Sequence, residues 1–234
     1  MENALYMNNS YIKEFEAVVK NVTDNKFAVF DKTAFYTSGG GQPHDTGVVI
    51  CNNEEYPVVY AGKFSGQISH EISKPGLKAG DKVIGKINWE RRYNLMRMHT
   101  AAHIIDAVLY KEAGALCTGN QLGVDKSRID FSLEVLDREK MQSYIDIAKD
   151  YVRKAIDVKI YFMKREEALK IPGVVKLASV MPPEVEELRI VEIPGVDLQA
   201  DGGTQVRNTS EVGEIKFLSV ENKGKNNRRL YYTL

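Results

Sequence analysis

The chain has 234 residues, with 32 Lys+Arg balanced by 32 Asp+Glu, 43% hydrophobic residues and 27% charged ones. That balance supports one large or two small folded domains, and it excludes a disordered chain and a polycation that coats nucleic acid by bulk charge. Cys51 and Cys117 are too few for a disulfide framework or a four-thiolate zinc knuckle. No apolar run approaches the roughly 20 residues that span a bilayer, and the polar opening MENALYMNNSYIKEFEA has no signal-peptide core. The chain therefore reads as soluble and cytoplasmic.

The first part predicts strands. Tyr11 to Val19 alternates partly, and Lys26 to Phe30 continues after the turn-prone Thr23-Asp24-Asn25. Val48 to Ile50, Glu55 to Tyr60, Gln67 to Ile72 and Lys82 to Ile87 follow, parted by Gly-, Asn- and Pro-containing turns. Short strands at this spacing without helices predict a small β-barrel over residues 1–86. The pattern changes at Asn88. Trp89 to Glu112 lacks proline and carries Leu95, Met98, Ala102, Ile105 and Leu109 at helical spacing, with Gly114 as a stop. Arg128 to Ser132 predicts a strand, and Asp137 caps a second long helix running to about Ala155. Strands are predicted again at Val158 to Met163, Leu188 to Ile193, Glu214 to Val220 and Arg229 to Thr233. The expected class is α+β: residues 87–234 pack long helices on one face of an antiparallel sheet.

His99 and His103 stand four apart within the predicted long helix, so both imidazoles share one face and can hold one metal ion. Two hydrogen-bonded core histidines would give the same pattern. The HExxH zinc-protease motif is excluded, because Thr100 follows the first histidine. A second constellation is Asp201-Gly-Gly-Thr-Gln205 within Val196 to Gly213. Gly202-Gly203 marks a tight turn with Asp201 and Gln205 on either side, able to face one centre. A hairpin loop with a structural aspartate fits that segment equally well. The run Gly39-Gly40-Gly41 has no Lys-Ser or Lys-Thr at P-loop distance.

Taken together, His99-x-x-x-His103 and Gly202-Gly-Thr-x-Val-Arg-Asn-Thr-x-Glu211 resemble the editing domain of alanyl-tRNA synthetase and its free-standing relatives, the AlaX proteins. The resemblance extends to Phe35 to Gly47, Arg128 to Phe131 and Glu221-Asn-Lys-Gly, nearly the whole chain. A barrel joined to an editing domain is similar to the medium-length AlaX class. The resemblance implies hydrolysis of misacylated tRNA(Ala), chiefly seryl-tRNA(Ala), with Zn2+ as cofactor. The partner is the charged acceptor end of tRNA(Ala), and neither DNA nor membrane is expected. The family commonly has Cys-Gly-Gly-Thr-His where this chain has Asp201 and Gln205. Aspartate is a legitimate zinc ligand; a glutamine carbonyl is a poor exchange for imidazole.

The resemblance implies metal ligation by His99, His103, Asp201 and Gln205, with the Gly202 and Gly203 N–H groups holding a developing oxyanion. Thr100, Thr118, Gln121 and Thr204 are expected to meet the aminoacyl group. Gly39, Gly40, Gly41 and Gln42, with Thr37 and His44, are expected to lean toward the pocket from the barrel. Arg91, Arg92, Arg207, Lys223 and Arg228 are expected to touch tRNA, beside Lys86, Arg97, Lys225 and Arg229. Two other classes remain open: a metal-free module that binds aminoacyl-tRNA without hydrolysing it, and a hydrolase of another aminoacyl ester.

Overall fold

The fold was analysed in a computed structural model, which describes residues 3–135, 137–175 and 184–234. The chain forms two compact units, Met1–Asn94 and Leu95–Leu234. In the first, strands β1 (Glu14–Thr23), β2 (Phe27–Phe30), β3 (Gly47–Cys51), β4 (Glu54–Phe64), β5 (Gln67–Ile72) and β6 (Lys82–Ile87) close a barrel in the order β1-β2-β5-β4-β3-β6. Alternation drives the closure: every second residue of β6 is buried, and Phe15, Ala17 and Val19 of β1 face inward with them. Phe30, Phe35, Val49, Tyr56, Val58 and Val83 complete the core. The β3–β4 and β4–β5 hairpins turn on Asn52-Asn53 and Ser65-Gly66, both residues of each pair at positive φ. That is the I′ geometry whose twist matches the strands.

Helix α1 (Trp89–Ala113) begins in the first unit. The division falls inside the helix, later than the domain boundary expected at residues 86–87, and the first turns of α1 pack on residues of the barrel unit. Trp89 and Tyr93 stack 5.5 Å apart, and Tyr11 lies 5.7 Å from Trp89. Arg92 is wholly buried. Its Nε donates to Asp45 Oδ1 and Oδ2 at 3.0 and 2.9 Å, Nη2 pairs with Oδ2, and Nη1 donates to the Ser10 carbonyl at 2.8 Å.

His70 on β5 is equally enclosed, 0% exposed. Its Nδ1–H donates to the Ala28 carbonyl at 3.1 Å, so Nε2 accepts the Thr33 hydroxyl proton at 2.9 Å. Burial pushes the imidazole pKa down to about 4. Below about pH 6.5 the unfolded chain takes up a proton that folded His70 refuses until about pH 4, so stability falls with acidification through that window. The expected loss is about 3 kcal/mol. Urea midpoints measured from pH 7 to 4 should fall less in His70→Gln than in wild type. Identical slopes would show that His70 carries none of this dependence.

In the second unit, α1 is buried nearly all round from Leu95 to Leu109, beyond the single apolar stripe expected from the sequence. It is the central element of this unit. Four strands, β7 (Cys117–Gln121), β8 (Ser127–Phe131), β12 (Lys216–Gly224) and β13 (Asn227–Thr233), form an antiparallel sheet in the order β12-β13-β8-β7. Tyr232 of β13 is buried and donates to the Met98 carbonyl of α1 at 2.8 Å. Helix α2 (Arg138–Arg153) buries Met141, Tyr144, Ile145, Ala148 and Val152, and Asp137 caps it by accepting from the Lys140 N–H at 2.9 Å. A second sheet orders β9 (Lys159–Lys164), β10 (Glu187–Ile193) and β11 (Asp197–Ala200) as β11-β10-β9. Among the described residues, no helix is long and apolar enough to cross a membrane.

Candidate metal centre

Two elements of the second unit build the site. Helical spacing stacks His99 and His103 on α1 with ring centroids 5.2 Å apart. Asp201 follows β11, where Ala200 pairs with Ile190, and two bonds fix its backbone: its N–H donates to the Arg189 carbonyl at 3.1 Å, and Arg189 Nη1 donates to its carbonyl at 2.8 Å. The turn Asp201-Gly202-Gly203 then carries the carboxylate to the histidines. Asp201 Oδ2 lies 3.4 Å from His99 Nε2, and Oδ1 lies 3.8 Å from His103 Nε2. One ligand atom from each of the three residues lies within 4.8 Å of the others. Donors around a tetrahedral zinc with bonds near 2.0 Å are separated by about 3.3 Å, so the spacing and the two-imidazole, one-carboxylate donor set both fit a zinc-sized ion.

Glycine at 203 is required sterically. A Cβ built there would collide with the His99 ring. Gly203→Ala should displace that imidazole, and any zinc the site can hold should then bind tenfold or more weakly, about 1.4 kcal/mol, in a chelator-competition titration. Unchanged affinity would mean that His99 does not bind the ion.

His103 has a partner that sequence reasoning passed over. Its Nδ1 lies 2.8 Å from Asp197 Oδ2, which leaves Nε2 to face Asp201. Asp197 is held in turn by Gln199 Nε2 at 3.1 Å, and the same nitrogen reaches Asp106 Oδ2 at 2.8 Å. A carboxylate behind a metal-binding imidazole fixes its tautomer and raises its basicity. Burial lowers the His103 pKa, but hydrogen bonds and charge from Asp197 and Asp201 outweigh it and raise the value to about 10. Burial also opposes charge on Asp201, yet the electrostatic influence of His99 beside it and the His103 hydrogen bond hold its carboxyl well below the usual range. The two shifts favour the ion pair, and a metal held there would compete with the proton on His103. The only signal for Asp197 was its place in Val196 to Gly213, and nothing in that segment marked it apart from Asp201.

The other expected residues divide. Gln205 is 1% exposed; its Oε1 accepts from Thr100 Oγ1 at 2.7 Å, and its Nε2 faces Asp201 Oδ1 at 3.2 Å. Thr100 and Thr204 are fully buried. The Gly203 N–H, expected to serve an oxyanion, is committed to Asp201 Oδ1 at 2.8 Å, while Gly202 is exposed. Thr118 and Gln121 were expected to meet the aminoacyl group. They lie on the exposed edge strand β7, where Thr118 donates to Asn227 Oδ1 and Gln121 Oε1 accepts from Arg128. Gly39 to Gln42 form a tight turn in the barrel unit: Gly39 and Gln42 exchange backbone bonds at 3.1 and 2.9 Å, with Gly40 and Gly41 at φ 57° and 82°. The positive φ values account for glycine at 40 and 41. Thr37 is buried near Tyr6, and His44 Nε2 donates to the Val59 carbonyl at 3.1 Å.

The basic residues also divide. Arg92 was expected on tRNA, but its donors are spent on Asp45, Ser10 and Ala34 inside the barrel unit. Arg228 is 5% exposed and turned onto Asn222 Oδ1 and the carbonyls of Gly224, Asn227 and Glu134. Both are structural, because a guanidinium without solvent access cannot meet a phosphate. Arg91 donates to the His44 carbonyl, Lys223 pairs with Glu221, and Arg207 is exposed. Part of the Arg207 to Glu211 motif is a helix cap. Asn208 accepts from the Ser210 N–H, and Glu211 accepts from the Asn208 N–H, opening the short turn Thr209–Val212.

The sequence is similar to known families and proteins. Residues 188–231 match the family described as threonyl and alanyl tRNA synthetase second additional domain, and residues 3–91 match tRNA synthetases class II (A). The chain is 52% identical to the alanyl-tRNA editing protein AlaX-M of Methanosarcina barkeri, over 100% of this chain and 99% of that one. It is 47% identical to AlaX-M of Saccharolobus solfataricus, again over 100% and 99%. Alanine–tRNA ligase of Methanococcus aeolicus is 39% identical over 98% of this chain, which corresponds to 25% of the ligase.

Proposed function

The chain belongs to the AlaX-M family of alanyl-tRNA editing proteins, an aminoacyl-tRNA deacylase by that membership, and from this premise we propose that it hydrolyses seryl-tRNA(Ala) at the His99–His103–Asp201 centre with zinc as cofactor. The convergence of two imidazoles and one carboxylate within 4.8 Å carries the reading. Three protein ligands leave a fourth position open, the arrangement of catalytic rather than structural zinc. Zinc bound there supplies Lewis-acid polarisation of the ester carbonyl and a more acidic water.

The chain's own residues do the rest. Asp197 holds the His103 Nδ1 proton and orients the ring. Arg189 and the Gly203 N–H hold Asp201 in place. The exposed Gly202 N–H is the backbone donor left for the developing oxyanion. Thr100 is fully buried, accepting the Val206 N–H and donating to Gln205, so its hydroxyl backs the site and the group that meets the serine hydroxyl is a more exposed one of the lining. Serine offers that hydroxyl and alanine does not, and a site built to bond a hydroxyl discriminates strongly against its absence. The substrate is the acceptor end of tRNA(Ala), met in the cytoplasm, with Arg207, Lys223 and Arg91 among the phosphate contacts. Deacylation rates on seryl- and alanyl-tRNA(Ala) under identical conditions test the proposal. A large excess for the seryl ester is expected, and equal rates would remove the editing assignment.

A further inference from the structure

Gln205 occupies the position where a fourth metal ligand was expected, yet its amide has a different use. Thr100 Oγ1 accepts the Val206 N–H at 3.2 Å and gives its own proton to Gln205 Oε1 at 2.7 Å. The other end of the amide, Nε2, lies 3.2 Å from Asp201 Oδ1. Reversing the amide would place its carbonyl oxygen against that carboxylate, acceptor against acceptor, so the anion fixes the orientation. Oδ1 thus receives two protons, one from Gln205 and one from the Gly203 N–H at 2.8 Å, while Oδ2 is turned toward His99 Nε2 at 3.4 Å. In the chain Thr100–Gln205–Asp201, Thr100 and Gln205 are buried, 0% and 1% exposed, and the Asp201 side chain is partly exposed at 15%.

We propose that Gln205 is a positioning residue rather than a ligand: anchored by the Thr100 hydroxyl, it clamps one oxygen of Asp201 so that the other is presented to the metal. This rests on the metal reading above and narrows it to three protein ligands. Outer partners that orient a ligand commonly contribute ten- to hundredfold in metal affinity, and Gln205 fills that role for the carboxylate as Asp197 does for His103.

The two roles predict opposite signs. A ligating amide oxygen replaced by carboxylate, Gln205→Glu, would bind zinc more tightly. A clamping amide replaced by carboxylate loses its N–H and sets a second anion against Asp201, so affinity falls. Zinc affinity is measured by chelator competition on purified wild type, Gln205→Glu, Gln205→Leu, Thr100→Val and the double variant Thr100→Val/Gln205→Leu, with the melting temperature of each zinc-free protein as a check of folding. The expected result is weaker binding in all four variants, by roughly tenfold or more in Gln205→Leu. The double variant should bind no more weakly than Gln205→Leu alone, since both changes cut one chain of bonds. Thr100→Val is nearly isosteric and keeps the test decisive if a Gln205 variant fails to fold. Tighter binding in Gln205→Glu, or wild-type affinity in Thr100→Val, overturns the inference. A wild type that holds no zinc overturns the metal reading, and this inference with it.

Discussion

Protein carrying Asp201→Ala should purify without zinc and lose more than about 100-fold in deacylation of seryl-tRNA(Ala), since even partners one bond removed from a metal cost ten- to hundredfold. The carboxylate is the only anion in the three-residue donor set, and its backbone is pinned by Arg189 on both sides. Its removal also leaves His99 and His103 adjacent on a buried helix face, with no carboxylate between them to offset the charge of an ion. His99→Ala and His103→Ala should behave alike. Asp197→Asn is the graded case, because its amide oxygen still accepts the Nδ1 proton but no longer carries charge; zinc should weaken within the ten- to hundredfold range. Zinc analysis of each variant beside its rate checks the set. Full zinc occupancy in Asp201→Ala would remove the carboxylate from the site.

The second large effect lies in the barrel unit. Arg92→Met should cost about 3–5 kcal/mol of stability, because it leaves Asp45 charged and without its cation in a place with no solvent access. The Tyr36 N–H, 2.7 Å from Asp45 Oδ2, cannot offset that charge alone. Pairing the change with Asp45→Leu should recover much of the loss, since removing both charges is far less costly than stranding one. Denaturant titration of the single and double variants measures this. An Arg92→Met protein as stable as wild type, with weakened tRNA binding, would return Arg92 to the RNA surface.

Local signals made much of this architecture legible in the sequence. Strand alternation located the barrel strands, with β5 and β6 falling at the expected residues, and the Asp137 cap and the uninterrupted run from Trp89 marked both long helices. What stayed hidden depends on distant partners. β7 is Cys-Thr-Gly-Asn-Gln, with neither β-branched nor aromatic weight apart from one threonine, and it is a strand because β8 pairs with it. β11 has four residues and pairs with β10 just before the Asp201 turn. Arg92 and Arg228 looked like RNA contacts because sequence reports charge and not burial; the Asp45 carboxylate that claims Arg92 lies 47 positions earlier. Within the site, His99, His103 and Asp201 came from spacing and resemblance, and the structure brings them together. Asp197 is 94 positions from the histidine it orients, and only folding brings them into contact.

Reconstitution is the most direct test of the central claim, that the His99–His103–Asp201 centre hydrolyses misacylated tRNA through a bound metal. Protein stripped by a chelator and dialysed free of it is assayed on seryl-tRNA(Ala) while zinc is added back. The expected result is negligible hydrolysis without metal and recovery that saturates at one zinc per chain, with no recovery in Asp201→Ala. Full hydrolysis by protein shown to contain no metal would contradict the account.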